Sequence, residues 1–450
     1  MDRKDQGILP GRESASRGRE TTPAARSAVG SLRFRRPDRF PMRRVPVARD
    51  ETIPSEHHVR VLGEGGERRD WSGFSTGLKV GAGEAGRPAT DIRRWTALWW
   101  YAATPGVGRA REWERWCEDH AAYRWLWGGV RVNDHTRSDF RVAHEKAWDG
   151  LMTEVLAMRR ERKLVRVHRI RQEGRRVRAR AGKSSFRREE RLQSLLEQAQ
   201  TQVATLKAQR EAPARTDRNV RQVAARERAA RERLDRVHQA LEALEQVKKV
   251  KARARDNNRD QPSQPRASTT DSEAHVMMMP DGGFRPAYNV QVATDTGSRA
   301  IVGVDVTRAG SDQAQSEPRR ERVEERTGEE VAEHLREGGF VKREQIERAE
   351  PSGVKVYAPP QQSRQDLDPY RVRETDSPEI AAWRTRMARE EAKAIDQERA
   401  STRETVHADL RTYRGLGRFL VRGRRKVRGV VLWSALADHL MHFGQGLRMD

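Results

Sequence analysis

The sequence predicts a mixed α/β protein in which a small sheet is flanked by helices, interrupted by a helical arm and preceded by a small all-helical unit. Three observations carry this. The stretch from Asp281 to Asp295 and the run from Ala300 to Thr307 alternate apolar and polar positions with period two. A polar turn at Asp295-Thr296-Gly297-Ser298 separates them, so they form a β-hairpin with one buried face. Between Trp71 and Trp148, tryptophans recur at helical spacing among Arg and acidic residues. Between Phe186 and Lys251, a thin apolar seam runs through charged sequence, the pattern of two paired helices.

Composition limits the functions available. The chain has 450 residues, only 35% of them apolar, and a formal charge of +24 with pI near 10.9. An excess of this size points to a polyanionic partner, and Arg suits bidentate phosphate contact better than Lys. Nucleic acid is preferred over a membrane surface, because there is no run of about 18 apolar residues and no signal-peptide pattern. The single Cys117 excludes an intramolecular disulfide and a Cys-rich zinc site. An intracellular protein is expected.

Residues 1–50 are rich in Arg, Pro, Ser and Gly and bury too little apolar surface to offset ordering entropy, so a disordered basic tail is expected there. A helical DNA-binding domain is expected over 51–160. In it Thr90 is a candidate N-cap for a helix carrying Ile92, Trp95, Leu98 and Trp99. A second helix spans Val107 to Tyr123, and a third runs from about Thr136 to Met158. The tryptophans are expected to be core rather than base-stacking platforms.

A core domain is expected over 161–450. Leu164 to Ile170 alternates apolar and basic residues as a strand that ends at Gln172-Glu173-Gly174, and a short second piece follows at Arg176 to Ala179. A carboxylate at a strand end can present a metal ligand, but an ordinary turn carboxylate is the commoner case. The arm at 186–251 breaks at Ala212-Pro213-Ala214-Arg215 into two antiparallel helices, and 252–270 has the Asn, Gln, Pro and Ser of a flexible linker. After the hairpin come a helix from Arg319 to Thr327, a short strand at Val331 to Leu335 leading to Glu337-Gly338-Gly339-Phe340, and a strand at Val354 to Tyr357 stopped by Pro359. A long helix from Pro378 to Arg411 and a last one over Phe419 to Met441 complete the chain.

Strand, long insertion, two paired strands, helix, strand, helix is the order of an RNase H-like core interrupted by an arm. The stretch from Asp281-Gly282-Gly283-Phe284 through Val304-Asp305-Val306 resembles the DDE transposases of bacterial insertion sequences. So do Gly338 to Lys342, Glu398-Arg399-Ala400 to Glu404, Leu420-Val421-Arg422-Gly423, Gly86-Arg87-Pro88-Ala89-Thr90-Asp91, Gly128-Gly129-Val130 and Ser184 to Glu189. The resemblance is collinear from about residue 50 to the end.

The resemblance implies Mg²⁺- or Mn²⁺-dependent cleavage and strand transfer at terminal inverted repeats of double-stranded DNA, by a homodimer in the bacterial cytoplasm at the nucleoid. In such enzymes three acidic residues hold two metal ions that activate the attacking oxygen and stabilise the leaving one. Those ligands map onto Glu173, Glu337 and Glu404, with Arg399, Arg411 and Arg87 as DNA contacts. Two matches depart from the pattern, which has Asp where this chain has Glu173 and Glu337. An extra methylene moves a carboxylate by about 1.5 Å, and misplacement near 1 Å can cost on the order of 100-fold in rate. Asp396 stands where related helices carry an aromatic residue. Impaired catalysis is therefore expected, with a non-catalytic DNA-binding remnant as the alternative and a self-associating scaffold as a third, weaker reading. Asp281, Asp295, Asp305 and Asp312 form a competing acidic set, but Asp281 opens a strand and Asp295 sits in the hairpin turn, so their side chains are expected to lie away from the site.

Overall fold

The computed structural model describes residues 48–64, 70–75, 90–129, 134–211, 217–255, 264–312, 315–338, 342–360 and 368–443, with the side chains of 64, 134–137, 217–219, 253–255 and 398–404 outside that description. The expected basic tail falls almost wholly outside the described residues, as does Arg87. Residues 48–450 form one compact unit.

The helical layer contains α1 (Val59–Glu64), α2 (Ser72–Ser75), α3 (Ile92–Ala103), α4 (Ala110–Asp119), α5 (Ala121–Trp127), α6 (Asp134–Ala143) and α7 (Glu145–Glu161). Two stretches expected to be single helices are each split, at His120 and at His144, whose backbone leaves the helical region. His120 caps α5 by accepting from Ala122 N. The cap of α3 is Asp91, whose side chain accepts from Arg93 N at 2.9 Å, not Thr90 as expected. A carboxylate beside the free N–H groups of a first turn is favoured both by hydrogen bonding and by the helix dipole.

The tryptophans form core, as expected. Trp99, Trp113 and Trp148 are fully buried. Their rings meet edge to face or stacked, with Trp99 at 5.3 Å from Trp113 and 5.2 Å from Trp433 of the last helix. Trp100 donates its indole N–H to Leu436 O at 2.7 Å. Helical layer, last helix and sheet thus share one continuous apolar cluster, and the domain boundary expected near residue 160 runs through it.

The sheet has six strands: β1 (Arg169–Arg178), β4 (His275–Met278), β5 (Phe284–Asp295), β6 (Ile301–Thr307), β7 (Glu333–Arg336) and β8 (Lys355–Tyr357). Its order is β4-β5-β1-β7-β8, with β6 also on β5. Strand β5 runs antiparallel to β1 and β6, whereas β7 is parallel to both β1 and β8. The expected hairpin is β5–β6, and Asp295 closes its turn by accepting from Ser298 N at 3.0 Å.

Strand β1 departs from expectation. It is one strand running straight through Gln172-Glu173-Gly174, with Glu173 opposite Val292 and Gly174 opposite Gln291. Gly174 is there because of close approach, not a turn. A β-carbon at that position would collide with the Asp312 carboxylate and the Gln291 amide.

The arm consists of α8 (Glu189–Glu211) and α9 (Asp217–Arg255), which pair as expected. Residues 212–216, where Pro213 breaks the pattern, lie outside the described residues. Part of the expected linker is ordered structure: β3 (Ala267–Ser268) pairs with β2 (Phe186–Arg187) and closes the base of the arm. The remaining helices are α10 (Glu317–Thr327), α11 (Arg343–Ala349), α12 (Pro378–Met387), α13 (Glu390–Thr412) and α14 (Arg424–Phe443). The long helix expected over 378–411 is therefore two, α12 and α13.

Candidate functional site

Side chains alternate across a strand, so the centre of β1 presents Arg171, Glu173 and Arg175 to one face and Gln172 and Gly174 to the other. Both faces are buried and polar. Gln172, Asn289 and Gln291 are fully buried, and Arg171, Glu173, Arg319 and Arg336 nearly so.

On the first face, the Glu173 carboxylate is engaged on both sides. Its Oε2 accepts from His407 Nε2 of α13 at 2.9 Å, and it is ion-paired with Arg171 two residues before it. Arg175 donates to the His407 backbone carbonyl at 3.1 Å, which fixes this turn of α13 against β1. Burial by itself would raise the Glu173 carboxyl, but the hydrogen bond and charge of His407, then the Arg171 guanidinium, outweigh it and hold the group at about 2.

On the second face, Asp312 Oδ1 accepts from Asn289 Nδ2 at 2.6 Å and Gln291 Nε2 at 2.7 Å. Gln172 Nε2 donates to Gln315 O at 3.0 Å. Asp312, one of the competing acidic set, therefore lies against the centre of β1, across the sheet from Glu173. The other members of the competing set are structural. Asp281 pairs with Arg285 in the turn before β5, and Asp305 pairs with Arg322 at 2.8 Å and with the buried Arg319.

The expected ligands are brought together in part. The parallel pairing of β1 with β7 ends at Gln172↔Arg336, so Glu337 follows one step beyond, level with Glu173 on the adjacent strand. Position 404 lies on α13 one turn before His407, and residues three apart share a helix face. The helix therefore brings position 404 to the neighbourhood of Glu173. Arg411 is exposed in the last turn of α13. Arg399 also lies on α13, with its side chain outside the described residues.

These residues do not fit a divalent ion as they stand. Mg²⁺ needs oxygen lone pairs in octahedral array, whereas Glu173 already faces a guanidinium and an imidazole at hydrogen-bonding range. Arg171 and His407 are the residues that sequence reasoning missed. The spacing Glu404-Thr405-Val406-His407, which puts an acid and an imidazole on one helical face, was the available signal for the second of them.

A cleft of about 770 Å³ opens among α7, α10 and α14. Arg428 lies in it, shared by Glu145, Asp149 and Asp305, and Arg326 pairs with Asp149. Its lining holds six basic and five acidic residues, so it is nearly neutral and is no funnel for a polyanion. Among the described residues, no helix is long and apolar enough to cross a membrane. Comparison with protein-family models, curated proteins and solved structures finds no match.

Proposed function

We propose that the chain is an insertion-sequence transposase in architecture, with an RNase H-like core, that binds double-stranded DNA while its cleavage chemistry is impaired. The observation that carries this is the sheet. A strand bearing an acidic residue at its centre lies between an antiparallel hairpin and two parallel strands, in the order β6-β5-β1-β7-β8. A second acidic residue is level with the first on the parallel neighbour, and a C-terminal helix crosses at the same point. That is the arrangement in which RNase H-like nucleases gather their carboxylates. The net charge of +24 supports a nucleic-acid partner.

The ion pairs on Glu173 favour the reading of a DNA-binding remnant over that of an active recombinase. A carboxylate held by Arg171 and His407 offers no free oxygen to an ion, and no step of phosphoryl transfer is assigned to it. What the chain's own residues do here is fix α13 to β1. The test is incubation of the purified protein with DNA carrying the inverted repeats that flank its gene, with Mg²⁺ or Mn²⁺. Salt-sensitive binding without nicking is expected, and nicking that Glu404→Ala abolishes would overturn the assignment of impaired catalysis. No preference for repeat-bearing DNA over random DNA would overturn the transposase reading itself.

A further inference from the structure

The last two helices carry a cluster that the reading above does not use. Asp409 is in the final turns of α13, and Asp438 and His442 lie one turn apart on the same face of α14. We propose that these three side chains bind a first-row transition dication, with Zn²⁺ the best match, and that the ion ties α13 to α14.

Three features of the geometry carry the proposal. First, a donor atom from each of the three residues lies within 4.8 Å of the others. His442 Nε2 is 3.5 Å from Asp409 Oδ2. This separation is long for an N–H···O hydrogen bond, which centres on about 2.9 Å. It is close to the spacing of about 3.4 Å between two ligands that each lie at about 2.05 Å from a tetrahedral ion.

Second, Asp438 is 3% exposed and its Oδ1 has no hydrogen-bond partner. A buried carboxylate oxygen without a donor is costly, and an ion would satisfy it. The nearby Arg414 does not serve. Its Nε is 3.8 Å from that oxygen, beyond hydrogen-bonding range, and its Nη1 donates instead to Thr104 O.

Third, His442 Nδ1 lies 3.0 Å from the Asp438 backbone carbonyl. With the Nδ1 proton donated to that carbonyl, Nε2 is left as the lone-pair donor facing Asp409. Metal-bound histidines are commonly oriented this way, with the second ring nitrogen tied to a carbonyl.

The donor set decides the class of ion. Two carboxylates and an imidazole suit zinc and its neighbours, whereas Mg²⁺ and Ca²⁺ prefer all-oxygen shells. Two carboxylates neutralise a dication, and three protein donors leave one position for water. Because His442 is exposed at the end of α14, the ion would enter from solvent.

The test uses the full chain, stripped of metal with a chelator and titrated with Zn²⁺ by calorimetry and with Co²⁺ by visible absorption. One equivalent is expected, with the intense bands of four-coordinate Co²⁺. His442→Ala, at an exposed position, and Asp409→Asn should each weaken that binding by at least about 100-fold, more than loss of an outer-shell contact costs, with helix content unchanged by circular dichroism. Absence of stoichiometric binding in the parent chain, or the same affinity in both variants, would overturn the site.

Discussion

The helical layer and the centre of the sheet are both buried, but they are filled by opposite chemistry. Around Trp99, Trp113 and Trp148 the interior is aromatic rings packed on aliphatic side chains. Around β1 it is amides and ions: Gln172, Asn289, Gln291, Arg171 and Glu173. Apolar packing is non-directional and scales with area, so the first region is held by volume. A buried charge is tolerated only when its partner and its hydrogen bonds are in place, so the second is held by geometry. Hydrophobic residues in place of Arg171 and Glu173 would have filled the same space, and a polar centre in a sheet is where a site is to be sought.

The largest loss of stability is expected in the helical layer. Trp113→Ala removes a fully buried ring that packs on Trp95, Trp99 and Trp127, and should cost about 5 kcal/mol in denaturant unfolding. A loss below about 1 kcal/mol would mean that the aromatic cluster does not hold the layer together.

In the sheet, Glu173→Ala strands Arg171 and should cost about 3–4 kcal/mol. The double replacement Arg171→Met with Glu173→Leu should cost less than the single change, an inversion that no apolar core shows. The pH dependence follows the same pair. The Glu173 carboxyl is held at about 2, below its usual 4.5, so its stabilisation is complete above about pH 4.5 and is lost as the pH falls toward 2. The amount is on the order of 3 kcal/mol, and Glu173→Gln should flatten that segment of an acid-unfolding curve. An unchanged acid limb would show that the carboxylate is not held as described.

Gly174→Ala should destabilise by about 2 kcal/mol, because Asp312 and Gln291 must move to admit a methyl group. Asp312→Ala in the same chain should recover part of that loss, and a fully additive double mutant would argue against the contact. The smallest expected effect returns to the helices: Asp91→Ala removes the cap of α3 at about 1 kcal/mol, whereas Thr90→Ala stays within about 0.5 kcal/mol. Thermal melts of the two variants suffice to rank them.

Much of the fold was legible before any coordinates. The β5–β6 hairpin announced itself by period-two alternation, the arm by its apolar seam and Pro213, and the aromatic core by tryptophans at helical spacing. Strand β1 was only half legible. Its second half carries Arg at 175, 176 and 178 and a glycine at 174, which together resemble a turn. A strand with neighbours on both edges tolerates both, because the cross-strand ladder and not propensity fixes it. The candidate site was legible in the same partial way. Glu173 and Glu337 were found as acids near glycines, whereas Arg171 and His407, which decide what Glu173 can do, were not.

By itself, then, the sequence determined the β5–β6 hairpin, the paired helices of the arm, the aromatic helical layer and the basic character of the chain, because periodicity and charge are local properties. Only the tertiary structure decided that Arg171 and a histidine 234 residues after Glu173 close on one carboxylate, and that Asp312 fills the space beside Gly174. Partners so far apart are chosen by sheet register and helix docking, which no local pattern encodes.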